Sequence, residues 1–155
     1  MSKTIWRISN HKHSDTAFSG EGSRRDGGRW NSRGRSVVYT SATLSLAALE
    51  YFVHMEIEDA ENMLVSIQVD IPADIQIETF NLTHLPSNWR NIPAPTALAT
   101  IGDKWFDLRI AALFVVPSAI ITQENNYLIN PLHNDFAKMQ IHPPELFGFD
   151  PRMWK

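Results

Sequence analysis

The sequence predicts a single domain of the α+β class over residues 1–155, and three observations support that prediction. A length of 155 residues fits one domain of ordinary size. Segments with the alternating or β-branched pattern of strands recur along the chain, whereas one or two segments have helical periodicity. That mixture is typical of a mixed sheet with flanking helices and not of a βαβ array. Hydrophobic residues make up 43% of the chain and charged residues 20%, a composition that builds a core without crosslinks.

The first half of the chain contains two predicted strands and the clearest predicted helix. Residues 5–8 alternate as a short strand, and residues 36–40 form a β-branched strand. The polar, Gly-rich residues 10–28 between them are expected to form a long loop. Apolar side chains recur at helical spacing on almost every side of residues 43–55, which predicts a helix that is buried nearly all round. Glu50 is the one carboxylate in this helix.

The second half of the chain is predicted to hold shorter elements. They are a half-buried strand at residues 63–71, loops at the prolines between 72 and 95, a short helix at 96–105 and a strand at 127–129. Pro117 interrupts the apolar run from 111 to 122, so we expect an edge strand or a bend there. From His142 onward three prolines predict an irregular C-terminal tail.

Composition restricts the classes of function. The chain has no cysteine, which excludes disulfides, thiolate zinc sites and a cysteine nucleophile and suits a reducing cytosol. Its first residues lack an apolar signal segment, and no apolar run reaches the about 20 residues that span a bilayer. We therefore expect a cytoplasmic protein with no membrane partner.

The charge is distributed unevenly along the chain. The net charge is −3, yet residues 1–35 carry eight basic and three acidic side chains. Such a basic segment can bind nucleic acid or a phosphorylated small molecule, or it can be an ordinary solvated surface. A sequence pI of about 6.0 and the lack of a helix-turn-helix or RNP-like pattern speak against direct nucleic-acid binding.

Two features suggest chemistry, and each has a purely structural alternative. Glu50, on an apolar helix, must be hydrogen-bonded, ion-paired or protonated. It is therefore a functional carboxylate, half of a structural ion pair with an N-terminal arginine, or a residue at the exposed edge of the helix. In residues 27–31 two glycines precede Arg29, whose planar guanidinium suits a phosphate or a carboxylate. The alternative for Arg29 is a solvated, arginine-rich loop.

Other polar and aromatic residues give weaker signals. Tyr39 lies in the middle of a predicted strand and is expected to be a core residue. Ser118 follows Pro117 and is expected to form a bend, because no G-x-S-x-G pattern that would make it a hydrolase nucleophile surrounds it. The six histidines match no common ligand spacing, so no metal is expected. Residue types and spacing alone therefore leave the function open.

Taken in order, five segments resemble the RES-domain family. They are residues 29–31, 38–41, 48–50, 116–120 and 126–133. The family is named after an arginine, a glutamate and a serine, which here correspond to Arg29, Glu50 and Ser118. The opening residues 6–8 fit as well, so the resemblance extends from about residue 5 to residue 133. Within that span, residues 72–107 match no motif.

The resemblance implies a fold and a reaction. RES-domain proteins are toxins of bacterial toxin–antitoxin pairs, their fold is similar to that of ADP-ribosyltransferase toxins, and they consume NAD⁺ as a substrate without a prosthetic group. Cleavage of the nicotinamide–ribose bond passes through an oxocarbenium-like state, which implies that Glu50 stabilises positive charge on the ribose or binds a ribose hydroxyl. By the same resemblance, Arg29 holds the pyrophosphate or the nicotinamide-side phosphate, and Tyr39 lies against the nicotinamide ring. Ser118 and Asn126 are implied to orient the substrate through hydrogen bonds.

The resemblance leaves several points open. Water, inorganic phosphate and a protein side chain are all candidate acceptors of the ADP-ribosyl group. Degradation of NAD⁺, by hydrolysis or phosphorolysis, is the working hypothesis, and ADP-ribosylation of a cellular protein is the alternative. A non-catalytic binding module built on the basic residues 1–35 is the alternative from another class. As a partner, the resemblance implies an Xre-type DNA-binding antitoxin that covers the active site, and it leaves a toxin homodimer open.

Overall fold

The chain folds around one curved, mixed β-sheet. The structure, a computed structural model, describes residues 2–56, 59 and 62–154. The strands are β1 (Lys3–Asn10), β2 (Val38–Ser41), β3 (Leu64–Ile71), β4 (Ile77–Thr79), β5 (Leu113–Pro117), β6 (Asn125–Ile129), β7 (Gln140–Ile141) and β8 (Glu145–Phe147). Their order is β4-β5-β6-β2-β1-β3-β7, and β8 also pairs with β3. The β4–β5 pair is parallel and the other pairs are antiparallel. The predicted α+β class is confirmed.

Helices pack on the sheet, and two short ones lie within residues 10–28, for which the sequence predicts a loop. They are α1 (Glu21–Asp26), α2 (Leu44–His54) and α3 (Thr96–Leu108), with 3-10 helices at His11–Thr16, Leu82–His84, Asn134–Lys138 and Pro151–Trp154. The prediction of one long loop over residues 10–28 is wrong, because the first 3-10 helix and α1 both fall there. Each spans only six residues, too few for an apolar period to show, and none of their residues is buried.

Helix α2 lies where its periodicity predicted it, but it is only half-buried. The Thr43 hydroxyl caps it by accepting a hydrogen bond from the backbone N–H of Leu46. Only Leu46 and Ala47 are fully buried, and Val53 is 54% exposed. The prediction that α2 is buried nearly all round is therefore wrong. One side of the helix packs on β1 and β2. The apolar residues on its other side contact other parts of the chain or are exposed to solvent.

Strands β3 and β5 are more interior than predicted. Residues 64–67 of β3 are buried in succession, so the expected half-buried alternation holds only toward its end. Strand β5 lies between β4 and β6, so of the two structures expected at Pro117 the edge strand is wrong, whereas a bend does follow at residues 119–120. Pro117 is simply its last residue, where the chain turns away. The strand predicted at 127–129 forms the end of β6.

The C-terminal tail is not irregular as predicted. Strand β8 and a 3-10 helix lie within the segment from His142 onward, and β8 pairs with β3, as does β7 just before that segment. The rings of Phe149 and Trp154 then pack on Phe52 of α2, with centroids 5.5 and 5.3 Å from it. Strands of two and three residues are too short to give an alternating pattern, which is why the sequence did not indicate them.

Helix α3 anchors the segment that carries Arg29. Trp30 is 2% exposed and packs in one aromatic cluster with Phe114 of β5. A Cβ on Gly102 would overlap the carbonyl oxygen of Trp30, so the close approach of α3 to this loop requires glycine. In the part of the chain that the structure describes, no helix is long and apolar enough to cross a membrane.

Candidate active site

The Glu50 carboxylate is the centre of a hydrogen-bonded cluster that three elements build. Its Oε1 atom accepts a hydrogen bond from the Ser118 hydroxyl at 2.8 Å and another from the Asn126 amide at 2.9 Å. Glu50 lies on α2, Ser118 directly follows β5, and Asn126 belongs to β6. Three of the residues that the resemblance implied are thus brought into contact by the antiparallel pairing of β5 with β6 and of β6 with β2.

The Ser118 hydroxyl is both a turn residue and a ligand of Glu50. It is fully buried, and its Oγ also accepts hydrogen bonds from the backbone N–H groups of Ile120 and Ile121, each at 3.1 Å. Because those two donors occupy its lone pairs, its single proton is committed to Glu50. The predicted bend is present, and it aims the hydroxyl at the carboxylate.

The orientation of the Asn126 amide is set by Ser41, which lies in the segment 38–41 that carries the family resemblance but to which the sequence assigned no role. The Ser41 hydroxyl donates a hydrogen bond of 2.7 Å to Asn126 Oδ1, so the NH₂ side of the amide faces Glu50. Ser41 and Asn126 are direct partners in the β2–β6 register. Only the strand pairing reveals this relation, since 85 residues separate the two along the chain.

The second carboxylate oxygen of Glu50, Oε2, is not held by any of the described residues. Among the described residues none donates a hydrogen bond to Oε2, and no cation lies within ion-pair distance of Glu50. The structural alternative, an ion pair with an N-terminal arginine, is therefore not what this part of the chain shows. A carboxylate held through one oxygen presents the other to a hydroxyl or to a developing positive charge.

Arg29 is held by backbone carbonyls. Its Nη1 donates hydrogen bonds to the carbonyl oxygens of Trp89, at 2.7 Å, and Asn91, at 3.2 Å. Burial lowers the pKa of the Arg29 guanidinium, and the negative charge of Glu50 opposes that shift. Arg29 is thus in electrostatic range of Glu50 without pairing with it, and the alternative of a merely solvated loop does not describe this half-buried side chain.

Tyr39 fastens the loop that carries Arg29. Its hydroxyl donates to Asn31 Oδ1 at 2.7 Å and accepts from the backbone N–H of Trp30 at 3.0 Å. Burial raises the pKa of the Tyr39 phenol, so it stays neutral and can donate. The expected core role is what the described contacts show, whereas a contact of Tyr39 with a nicotinamide ring stays a prediction.

Arg7, within the residues 6–8 that fit the family resemblance, is a half-buried arginine to which the sequence assigned no role. It lies on β1, and its Nη1 donates to the carbonyl oxygen of Tyr39 at 2.9 Å. Its Nε atom is buried and has no hydrogen-bond partner among the described residues, and burial lowers the pKa of the guanidinium.

The other basic residues of the N-terminal segment are compensated locally. Arg24 pairs with Glu21 and Arg25 with Asp26, while Arg35 pairs with Asp103 and Asp107. Glu21 and Asp26 are already counted in the charge of residues 1–35, so the carboxylates that reduce its positive balance from outside are Asp103 and Asp107. Within residues 2–56, 59 and 62–154, no three histidine or acidic side chains are grouped as a metal site would require.

The fold is that of a known toxin structure. A chain of the crystal structure of the M. tuberculosis MbcT–MbcA toxin–antitoxin complex superposes with a TM-score of 0.75, covering 96% of this chain and 85% of that one at 17% sequence identity. At that identity the likeness shows the fold.

Sequence relatives then define the family. The RES domain model matches residues 4–150. The chain is 38% identical over 153 residues to Toxin Res of Photorhabdus laumondii subsp. laumondii, with 97% of each chain covered. It is 31% identical over 157 residues to the Prs ADP-ribosylating toxin of a Sphingobium species, covering 99% of this chain and 98% of that one. The chain belongs to the RES domain family, and its class is that of the toxins of toxin–antitoxin systems.

Proposed function

We propose that this RES-family toxin, acting as a single RES domain, degrades NAD⁺ by cleaving the bond between nicotinamide and ribose. The observation that carries the proposal is the Glu50 carboxylate, held through Oε1 by Ser118 and Asn126 and open at Oε2 within the described residues. A fixed carboxylate is what a reaction with an oxocarbenium-like transition state needs. NAD⁺ is the substrate, and no prosthetic group is required.

Each residue of the site has a part in this reaction. The bond electrons leave with nicotinamide, so positive charge develops on the ribose, and Glu50 stabilises it through Oε2 or through a ribose hydroxyl. Ser118 and Asn126 keep the carboxylate in place, so that little reorganisation is needed as the charge develops. Arg29 supplies positive charge for the phosphate groups, and Tyr39 keeps the Arg29 loop in position. Water as the acceptor yields ADP-ribose and a proton. Inorganic phosphate as the acceptor yields ADP-ribose that is phosphorylated at the ribose carbon from which nicotinamide left.

Purified protein tests this proposal directly. We expect wild-type protein to release nicotinamide from NAD⁺, and Glu50→Gln to abolish release while leaving the thermal unfolding temperature within a few degrees of wild type. Glu78→Gln is the matched control, because Glu78 is an exposed glutamate on the edge strand β4. Activity with and without phosphate then distinguishes the acceptors. Full activity of Glu50→Gln would remove this carboxylate from the mechanism.

Transfer of ADP-ribose to a protein is the second candidate, and one relative favours it. The Sphingobium relative is named as an ADP-ribosylating toxin, and the bond broken in NAD⁺ is the same. We expect intact-protein mass spectra of a bacterial lysate incubated with toxin to show no new ADP-ribosyl mass on any protein. A modified protein that appears with wild type and not with Glu50→Gln would favour transfer over degradation.

The partner follows from the class of the protein. We propose an Xre-type DNA-binding antitoxin in the cytoplasm that covers the Glu50 site, and we leave a toxin homodimer as a second assembly. Co-purification followed by separation should raise NAD⁺ consumption, and the mass of the isolated toxin in solution distinguishes monomer from dimer. A non-catalytic nucleic-acid module is disfavoured, since carboxylates beside Arg24, Arg25 and Arg35 compensate their charge.

A further inference from the structure

One turn connects two arginines to the Glu50 site. The carbonyl oxygens of Trp89 and Asn91 accept the hydrogen bonds of Arg29. Arg90, between them, extends the other way, and its Nε donates to the carbonyl oxygen of Ala119 at 2.9 Å. Ala119 is the neighbour of Ser118, so the guanidinium of Arg90 is tied to the loop that holds the Glu50 carboxylate.

Arg90, Arg33 and Arg109 are exposed arginines that form no ion pair within the described residues, and of these three Arg90 is the one hydrogen-bonded beside Ser118. Arg24, Arg25, Arg35 and Arg152 each form an ion pair with a carboxylate. Arg90 is exposed, yet no carboxylate among the described residues lies within ion-pair distance of it, and no described group occupies its two terminal nitrogens. Its positive charge is thus held beside the site and left without compensation by this part of the chain.

We infer that Arg90 binds the phosphoryl groups of NAD⁺ together with Arg29, an inference that rests on the proposed NAD⁺ substrate. A guanidinium presents a planar fork that matches two phosphate oxygens. The bond from Nε to Ala119 restricts the side chain before the ligand arrives, which reduces the entropy lost on binding. The turn at residues 89–91 therefore sets the spacing between Arg29 and Arg90, and the substrate's phosphates lie between that turn and Glu50.

Binding of NAD⁺ in a background without turnover tests the inference apart from the reaction. NAD⁺ is titrated calorimetrically into Glu50→Gln and into the double variant Glu50→Gln/Arg90→Gln. The dissociation constant of NAD⁺ should be about ten- to a hundredfold higher for the double variant, which is the effect of losing charged hydrogen bonds. Adding Arg24→Gln instead is the control, because Arg24 is an exposed arginine paired with Glu21. It should leave the dissociation constant unchanged. Arg90→Lys, which keeps the charge without the fork, should recover part of the loss.

Steady-state kinetics separates binding from mere positioning of the Ser118 loop. With Glu50 intact, Arg90→Gln should raise KM for NAD⁺ with kcat changed less than threefold, and Arg90→Lys should lie between it and wild type. A fall in kcat at unchanged KM, equal in both variants, would overturn the inference and leave Arg90 as a loop anchor. NAD⁺ that binds equally well with and without Arg90 would also overturn it.

If wild type binds NAD⁺ through Arg90 but releases no nicotinamide, the proposed reaction fails and the inference stands. If NAD⁺ does not bind at all, both fail.

Discussion

Replacing Ser118 with alanine removes one hydroxyl and three hydrogen bonds. The lost partners are the Glu50 carboxylate and the backbone N–H groups of Ile120 and Ile121. A hydrogen bond to a charged group contributes about 1.5–3 kcal/mol, and an ordinary one about 0.5–1.5 kcal/mol. Since Ile120 and Ile121 are partly exposed, water replaces part of their loss. We therefore expect Ser118→Ala to lower the free energy of unfolding by about 2–4 kcal/mol.

That loss is large enough to measure by thermal or urea unfolding. In a chain of this length it corresponds to a fall of roughly 5–15 °C in unfolding temperature. Nicotinamide release should fall as well, because the Glu50 carboxylate loses one of the two hydrogen bonds that it accepts. Ser87→Ala is the matched control, since Ser87 is exposed and its hydroxyl has no hydrogen bond to a described residue. An unfolding temperature within about 1 °C of wild type for Ser118→Ala would refute the assigned network.

Two further predictions concern packing and pH. Gly102→Ala should destabilise the protein by about 1–3 kcal/mol in urea unfolding, because the new Cβ meets the Trp30 carbonyl. Gly22→Ala is the control, since Gly22 has open space around it, and it should be neutral or slightly stabilising. Equal effects of the two substitutions would contradict the close approach of α3 to Trp30. The hydrogen bond from Gln68 lowers the pKa of Asp70. Ionised Asp70 therefore stabilises the folded protein above about pH 4, the ordinary carboxyl value, and this contribution is lost as pH falls through the lowered pKa. The stability difference between wild type and Asp70→Asn, followed by urea unfolding, should therefore vanish between about pH 5 and pH 2, and a difference that does not change with pH would contradict this.

The parts of the fold that the sequence predicted are those with a long local pattern. Helix α2 has a capping threonine and repeated apolar spacing, and the sequence of β3 alternates apolar and polar residues from Val65 to Ile71, although its burial alternates only toward the end. The burial of α2 was overestimated because apolar spacing does not say how many sides a sheet covers. Strands β7 and β8 near the C-terminal end were missed because two or three residues show no period.

The candidate site was predicted only where a motif was present. Contacts between Glu50, Ser118 and Asn126 depend on strand order and register, which no local spacing encodes, and the family resemblance alone associated them. Ser41 contributes through its register partner, and Arg90 lies in residues 72–107, where no motif was recognised. Both became visible as candidates only through tertiary contacts.

The measurement that tests the central claim most directly is NAD⁺ concentration in cells within minutes of inducing the chain, beside its Glu50→Gln variant at equal expression. The account predicts that NAD⁺ collapses with wild type and stays constant with Glu50→Gln. Growth arrest by wild type at an unchanged NAD⁺ concentration would contradict it, and so would an equal collapse with both proteins.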